Sequence, residues 1–222
     1  MNLTAEKPLS VNLRECTAVA HEDAEQSSFM SRLLEGSLTR AAVADYTGQL
    51  WFMYADLERA VRATSHLSCM ASIADHRLER LDVLEKDLTE LIGPDWRSTL
   101  LPEPATAAYV ARLDELAEAK DELGLIAHHY VRYLGDLAGG QVIARMLRQR
   151  YGISGQGVHF YDFGEIGKIK PYRDGYRERL DALDLDGQEV ARLIEEANRA
   201  FALNGAVFRD LAKRHCATGD PH

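Results

Sequence analysis

Cysteine, proline and long apolar runs are all scarce in this chain, and each scarcity excludes something. The 222 residues hold three cysteines, Cys16, Cys69 and Cys216, widely spaced and with no Cys-x-x-Cys pair. A zinc knuckle or a redox pair needs close spacing, so neither is supported, and idle thiols in a reducing compartment are expected. Six prolines leave long intervals free of the residue that breaks helices. No stretch reaches the roughly 18 apolar residues that span a bilayer. Met1 to Ser10 has no basic region followed by an apolar stretch, so no signal peptide is read there. The expectation is a cytoplasmic protein with no membrane anchor. Gly-x-Gly-x-x-Gly, the P-loop, Cys-x-x-Cys-His and Glu-x-x-His are missing too. Their absence argues against a dinucleotide fold, a phosphate cradle, c-type heme attachment and a di-iron carboxylate bundle. Basic excess is lacking as well: the net charge is −9. A face for nucleic acid is therefore not expected, although a local cationic pocket is compatible with that total.

What is present reads as helix. Hydrophobic residues make up 46% of the chain, enough for one sizeable core. Leu13, Thr17, Ala20 and Ala24 recur at helical steps, and Met30, Leu33 and Leu34 extend that helix to Gly36. Thr39 caps a second helix that carries Val43, Leu50, Met53, Tyr54, Leu57 and Val61. Further helices are predicted over Leu78–Ile92, Thr106–Ala119, Glu122–Tyr151 and Tyr172–Leu183. A glycine-rich loop, Gly152–Gly167, interrupts them. Asp186 and Glu189 form a capping-box start for a last helix ending near His215. No strand alternation and no internal repeat is found. The predicted fold is all-α, one domain over residues 1–222 with an ordered core of about 10–215.

Three constellations bear on chemistry. In Tyr130-Val131-Arg132-Tyr133-Leu134-Gly135-Asp136-Leu137-Ala138-Gly139-Gly140-Gln141, three glycines fall within six residues of a helical pattern. Each costs the helix about 0.5–1 kcal/mol relative to alanine. Gly135 and Gly139 share a face, so a flat ligand can lie on bare backbone there; close packing against another helix explains such glycines equally well. Arg132 and Asp136 are four apart on that segment. Secondly, His21 has Glu25 one turn on, the arrangement in which a carboxylate supports a metal-binding imidazole. A lone helix histidine is more often simply structural or exposed. Thirdly, Arg14 lies two turns before His21, and Lys168, Lys170, Arg173 and Arg177 cluster later. These groups suit a clamp for paired carboxylates, or merely a solvated basic face.

Leu-Gly-Asp-Leu-Ala-Gly-Gly-Gln at 134–141 resembles the distal-helix signature of the heme oxygenases. Leu13 to Met30, with Thr17, His21, Ala24, Glu25, Phe29 and Met30, is similar to that family's proximal helix, and Glu196, Ala197, Phe201, Asn204 and Phe208 match its last helix. The likeness runs from about Leu13 to Leu211 and is strongest to soluble bacterial members. It implies heme b, substrate and cofactor at once, held between the first helix and a kinked glycine-bearing helix. It implies His21 as the iron ligand supported by Glu25, and Gly135 and Gly139 against the distal face. It implies Asp136 organising distal water with Tyr54 and Arg132. Arg14, Tyr130, Lys168, Arg173 and Arg177 fall near the propionates, and Phe201, Asn204 and Phe208 on the pocket wall. The implied reaction uses O2 and external electrons to give biliverdin, CO and ferrous iron, for iron release from heme. The chain shows no electron-transfer module, so a reductase or ferredoxin partner is implied, and a monomer is the expected state. Ala138 stands where serine is common, Arg14 where lysine is, and Val131 where threonine is. None removes the implied ligand or distal carboxylate; which meso carbon is opened stays unassigned.

The alternatives are a non-catalytic heme-binding or transfer protein on the same fold, a metal-free helical enzyme for a small heterocycle, and a helical adaptor. The first has no need of Asp136 or Arg132, the second leaves His21 idle, and the third leaves the glycines unexplained.

Overall fold

The computed structural model describes residues 7–216, and these contain helices and turns but no strand. In chain order the helices are α1 (Leu9–Cys16), α2 (Ala18–Glu25), α3 (Ser28–Glu35), α4 (Arg40–Thr64), α5 (Ser68–Ile73), α6 (Leu81–Leu91), α7 (Trp96–Thr99), α8 (Pro104–Glu118) and α9 (Glu122–His129). A π turn, Tyr130–Leu134, then leads into α10 (Gly135–Tyr151), followed by α11 (Ile169–Asp181) and α12 (Gly187–His215).

The helix predicted as one piece through Leu34 is three. Thr17 turns its hydroxyl back onto the Leu13 carbonyl at 2.7 Å, the local bond that bends helices, and its ψ opens to 2°. Ser27 leaves the helical region altogether at ψ 145° and accepts from the Met30 N–H. The short pieces wrap the N-terminus around α12 and α11. Other ends follow the sequence: Gly36 closes α3 in the left-handed region at φ 78°, Thr39 caps α4, and Asp186 with Glu189 makes a full capping box.

The segment from Glu122 to Tyr151 is helical throughout, but its irregularity precedes the glycines. The π turn inserts one extra residue before Gly135, which itself has ordinary helical angles of −61° and −50°.

Buried polar groups fix the elements around this rod. His129 Nδ1 meets the Tyr176 hydroxyl at 2.8 Å, tying α9 to α11. His128 joins Tyr109 at 3.0 Å and Glu196 at 3.1 Å, and Arg112 grips Glu196 with two nitrogens at 2.9 and 2.8 Å. The 152–167 loop is pinned by Asp87, which accepts the backbone N–H groups of His159 and Phe160 at 2.9 and 2.8 Å. Arg80 adds a bond to the Asp162 carbonyl at 2.6 Å while lying over the Phe163 ring.

Glu58 is one exception to this satisfaction. It is 1% exposed and its Oε2 has no hydrogen-bond partner, with Arg62 Nη2 3.5 Å away. Burial pushes its carboxyl up to about 7, against the pull of the Arg80 and Leu81 N–H groups. A folded-state pKa raised in this way favours the native protein at low pH and costs it stability as pH rises from about 4.5 to about 7. Glu58→Gln is therefore expected to melt above the unsubstituted chain at pH 8, by about 1–3 kcal/mol, and to lose that advantage at pH 5. Denaturation of both chains at the two pH values checks this; parallel pH profiles would contradict it.

Candidate active site

A cleft opens between α1–α2 on one side and the π turn with α10 on the other, with α11 at its mouth and α12 as its floor. Its outer part has a cavity volume of about 270 Å³ and its inner lobe about 110 Å³. His21, Val131, Gly135 and Phe201 line both, so the two are continuous.

The glycines divide into two uses. A Cβ built on Gly135 or Gly139 meets nothing within 4 Å, whereas one on Gly140 comes to 3.1 Å from the Tyr161 ring. Gly140 is thus the packing glycine, seated on the pinned loop. Gly135 and Gly139 present bare backbone to the cleft.

His21 faces that backbone from α2. Its imidazole is about half exposed, with the Phe201 ring edge-on at 5.6 Å. Glu25 Oε1 lies 3.6 Å from His21 Nε2, one turn along but beyond hydrogen-bond length. The imidazole is thus held by aromatic packing, with a carboxylate in reach of one ring nitrogen.

Deeper in, four side chains from four elements form a connected polar group. Tyr54 on α4 donates to Asp136 Oδ2 and accepts from Arg132 Nε at 3.3 Å. Arg132 Nη1 donates to Asn204 Oδ1 on α12 at 2.8 Å. Arg132 Nη2 stays 3.7 Å from Asp136 Oδ1. The guanidinium also lies over the Tyr54 ring, 5.2 Å from its centroid. Burial raises the Asp136 carboxyl above its ordinary value, while the Arg132 charge and the Tyr54 hydrogen bond oppose the rise. Burial likewise holds the Tyr54 phenol well above its usual range. The result is a carboxyl that holds a proton more readily than a surface aspartate does, beside a phenol that stays protonated.

The mouth is cationic. Arg14, Arg173 and Arg177 line it with Tyr130. Arg173 Nε is buried without a partner, and burial together with Arg177 pulls the Arg173 pKa down. Such crowding of like charges is what an anion relieves. Arg177 Nη1 donates to Asp174 at 3.1 Å. Burial raises the Tyr130 phenol, and all three arginines oppose that.

Of the predicted site residues, Arg14, His21, Tyr130, Gly135, Arg173, Arg177 and Phe201 meet in the outer cleft, and Glu25, Arg132, Asp136, Gly139, Asn204 and Phe208 in the inner lobe. Tyr54 stands behind Asp136. Lys168 does not join them: it is exposed, immediately before α11, and forms no part of the cleft wall. Tyr46 lines the inner lobe and was not expected there. The signal was its spacing, eight residues before Tyr54 and so close to the same face of α4.

The heme oxygenase family model matches residues 7–210. The heme oxygenase of Porphyra purpurea is 36% identical over 204 residues, covering 91% of this chain and 86% of that protein. Among solved structures, heme oxygenase-2 from Synechocystis in complex with heme and NO superposes with a TM-score of 0.90 at 35% identity, over 94% of this chain and 86% of that one. Heme oxygenase-1 from Synechocystis in complex with heme gives 0.89 at 32% identity, over 94% of both chains.

Proposed function

The chain belongs to the heme oxygenase family, and from that premise we propose that its cleft takes heme b edge-on, with His21 as the iron ligand and the propionates at Arg14, Arg173 and Arg177. Its activity is that of a heme oxygenase, a heme-degrading oxidoreductase. The observation that carries the assignment of residues is the opposition across one cleft of an imidazole and two bare glycines. A disc fits only where side chains are missing on one face, and Gly135 and Gly139 leave that space. The orphaned Arg173 Nε suits a carboxylate at the mouth, and Phe201 and Phe208 give apolar walls.

Bound heme supplies the iron that activates O2 and the macrocycle that is opened, to biliverdin, CO and ferrous iron. The side chains divide the remaining work. His21 would offer a ring-nitrogen lone pair to the iron, with Glu25 one turn on as the acceptor within reach of the imidazole. Asp136 would hold the water that passes protons to the distal side, and Tyr54 fixes its carboxyl group by occupying Oδ2. Arg132, anchored on Asn204, brings positive charge to the lobe without titrating. A heme carrier needs none of these buried groups, so turnover is the better reading of the lobe.

Hemin added at one equivalent is expected to form a Soret band that, after ascorbate or a reductase system in air, decays to broad biliverdin absorption. A Soret band that persists under competent reduction would make the protein a carrier. His21→Ala is expected to lose that decay and regain it with added imidazole; an unaltered spectrum in the variant would dismiss His21 as ligand.

The electron donor, a reductase or ferredoxin, docks in this reading at the basic rim beside the mouth. Lys168 tests it, since it is exposed and outside the cleft wall. Lys168→Glu is expected to slow reduction severalfold at low salt while hemin affinity is unchanged. Stopped-flow reduction with equal rates for both chains would remove Lys168 from the docking surface.

A further inference from the structure

Tyr46 is the polar group of the inner lobe that the chemistry above leaves without a task. It stands on α4 and lines the lobe with Arg132, Asp136 and Asn204. Only 5% of it is exposed. Its ring is wedged between Phe29, at 5.6 Å between centroids, and Phe208, at 6.0 Å. Packing therefore sets where the hydroxyl points. Arg132 acts on that hydroxyl both by its charge and by the close approach of its side chain as a donor, and the Asp136 charge opposes it. His21 and Glu25 also face the lobe from α2, and the Tyr161 phenol stands nearby.

The gap between Arg132 and Asp136 makes this placement matter. At 3.7 Å, Arg132 Nη2 and Asp136 Oδ1 form an ion pair too long for a direct hydrogen bond, which leaves both atoms able to bond a shared water beside them. Nε and Nη1 of Arg132 are already committed to Tyr54 and Asn204, and Oδ2 of Asp136 to Tyr54. Nη2 of Arg132 and Oδ1 of Asp136 thus keep hydrogen-bonding capacity toward the same small space. Water in a protein interior is held by about three polar partners, and two are accounted for.

We propose that the Tyr46 hydroxyl is the third corner of a distal water site completed by Arg132 Nη2 and Asp136 Oδ1, and so a positioning residue for proton delivery. This rests on heme occupying the cleft. Two donors, the phenol and the guanidinium, face the water's lone pairs, so its hydrogens turn toward the Asp136 carboxylate and the substrate side. Asp136 alone fixes one direction of that water; Tyr46 fixes a second. Tyr54 cannot serve in its place, because its own proton already goes to Asp136.

The test uses the full chain loaded with hemin. Tyr46→Phe removes the hydroxyl and keeps the ring. Hemin affinity is expected to stay within about twofold of the unsubstituted chain. The acid–alkaline transition of the ferric complex, read from its absorption bands, is expected to move upward by about half a pH unit, a roughly threefold change in proton affinity. The sign follows from losing a donor that favours the more negative, alkaline form. Phe29→Leu is the control, since it loosens the packing around the ring and leaves the hydroxyl in place. It is expected to lower Tm with little effect on the transition. A midpoint unmoved by Tyr46→Phe overturns the proposal, as does an equal shift in Phe29→Leu. Failure of the unsubstituted chain to take up hemin overturns the heme reading itself, and is seen before either variant is made.

Discussion

Gly139→Leu is expected to abolish tight hemin binding while leaving the fold as stable as before. The glycine sits on α10 with helical geometry, and a Cβ there meets nothing within 4 Å. A leucine side chain therefore enters the cleft without striking protein. It fills the space that the substrate disc needs, opposite His21, and a loss of about 100-fold or more in hemin affinity follows from the sterics. The helix meanwhile gains from losing a glycine, by about 0.5–1 kcal/mol. Spectral hemin titration and thermal melting, run together, make the check. Unchanged affinity would show that the bare backbone is not the heme face. A large drop in Tm would show that Gly139 is a packing glycine after all. Gly140 supplies the contrast: its Cβ would press on Tyr161 at 3.1 Å, so Gly140→Leu is expected to cost stability first.

Asp136→Asn is expected to give the opposite division, with heme bound and little turned over. Asparagine keeps the size of the side chain and still offers an oxygen to the Tyr54 hydroxyl. It cannot take up and release a proton. Hemin affinity is expected within a few-fold of the unsubstituted chain, and biliverdin formation lower by about 100-fold. Single-turnover spectra under ascorbate decide it. Turnover at the original rate would mean that protons reach the distal side by a route that does not need this carboxylate. The raised pKa of Asp136 adds a sign to the expectation. A carboxyl held up by burial keeps its proton to a higher pH than a surface aspartate, so turnover that depends on it should fall as pH rises through its folded-state value. Asp136→Asn should lose that dependence.

Much of this is legible in the amino-acid sequence. Helix starts and stops at Gly36, Thr39 and Asp186 carry local backbone chemistry, and local chemistry is written in adjacent residues. The pairs His21–Glu25 and Arg132–Asp136 share faces because four residues make about one turn. Two things were not readable in this way. The division of labour among the glycines depends on what lies opposite each of them, and Tyr161 arrives from a loop some twenty residues later. The breaks at Thr17 and Ser27 turn on whether a hydroxyl bonds to its own backbone or to water, which the apolar periodicity does not report. Tyr46 was missed for a related reason. A tyrosine among apolar residues of a central helix reads as core, and only the approach of α10 from the other side makes its hydroxyl part of a site. Lys168 shows the converse, a charge near in sequence to Arg173 that stops short of the cleft.

The π turn at Tyr130–Leu134 bears on how this protein can vary in length. Upstream of it, His128 and His129 are locked to α8, α12 and α11. Downstream, Gly135, Asp136 and Gly139 face the cleft. One residue of an α-helix corresponds to about 100° of rotation. Removing one residue within the turn would let the rod run as regular α-helix with its distal face nearly kept, whereas an insertion or deletion that the turn does not absorb would swing every distal group a quarter-turn or more out of phase with the histidines that anchor it. Lineages of this chain should therefore accept many substitutions between Glu122 and Tyr151 and very few insertions or deletions, with gaps collecting instead in the loop that follows.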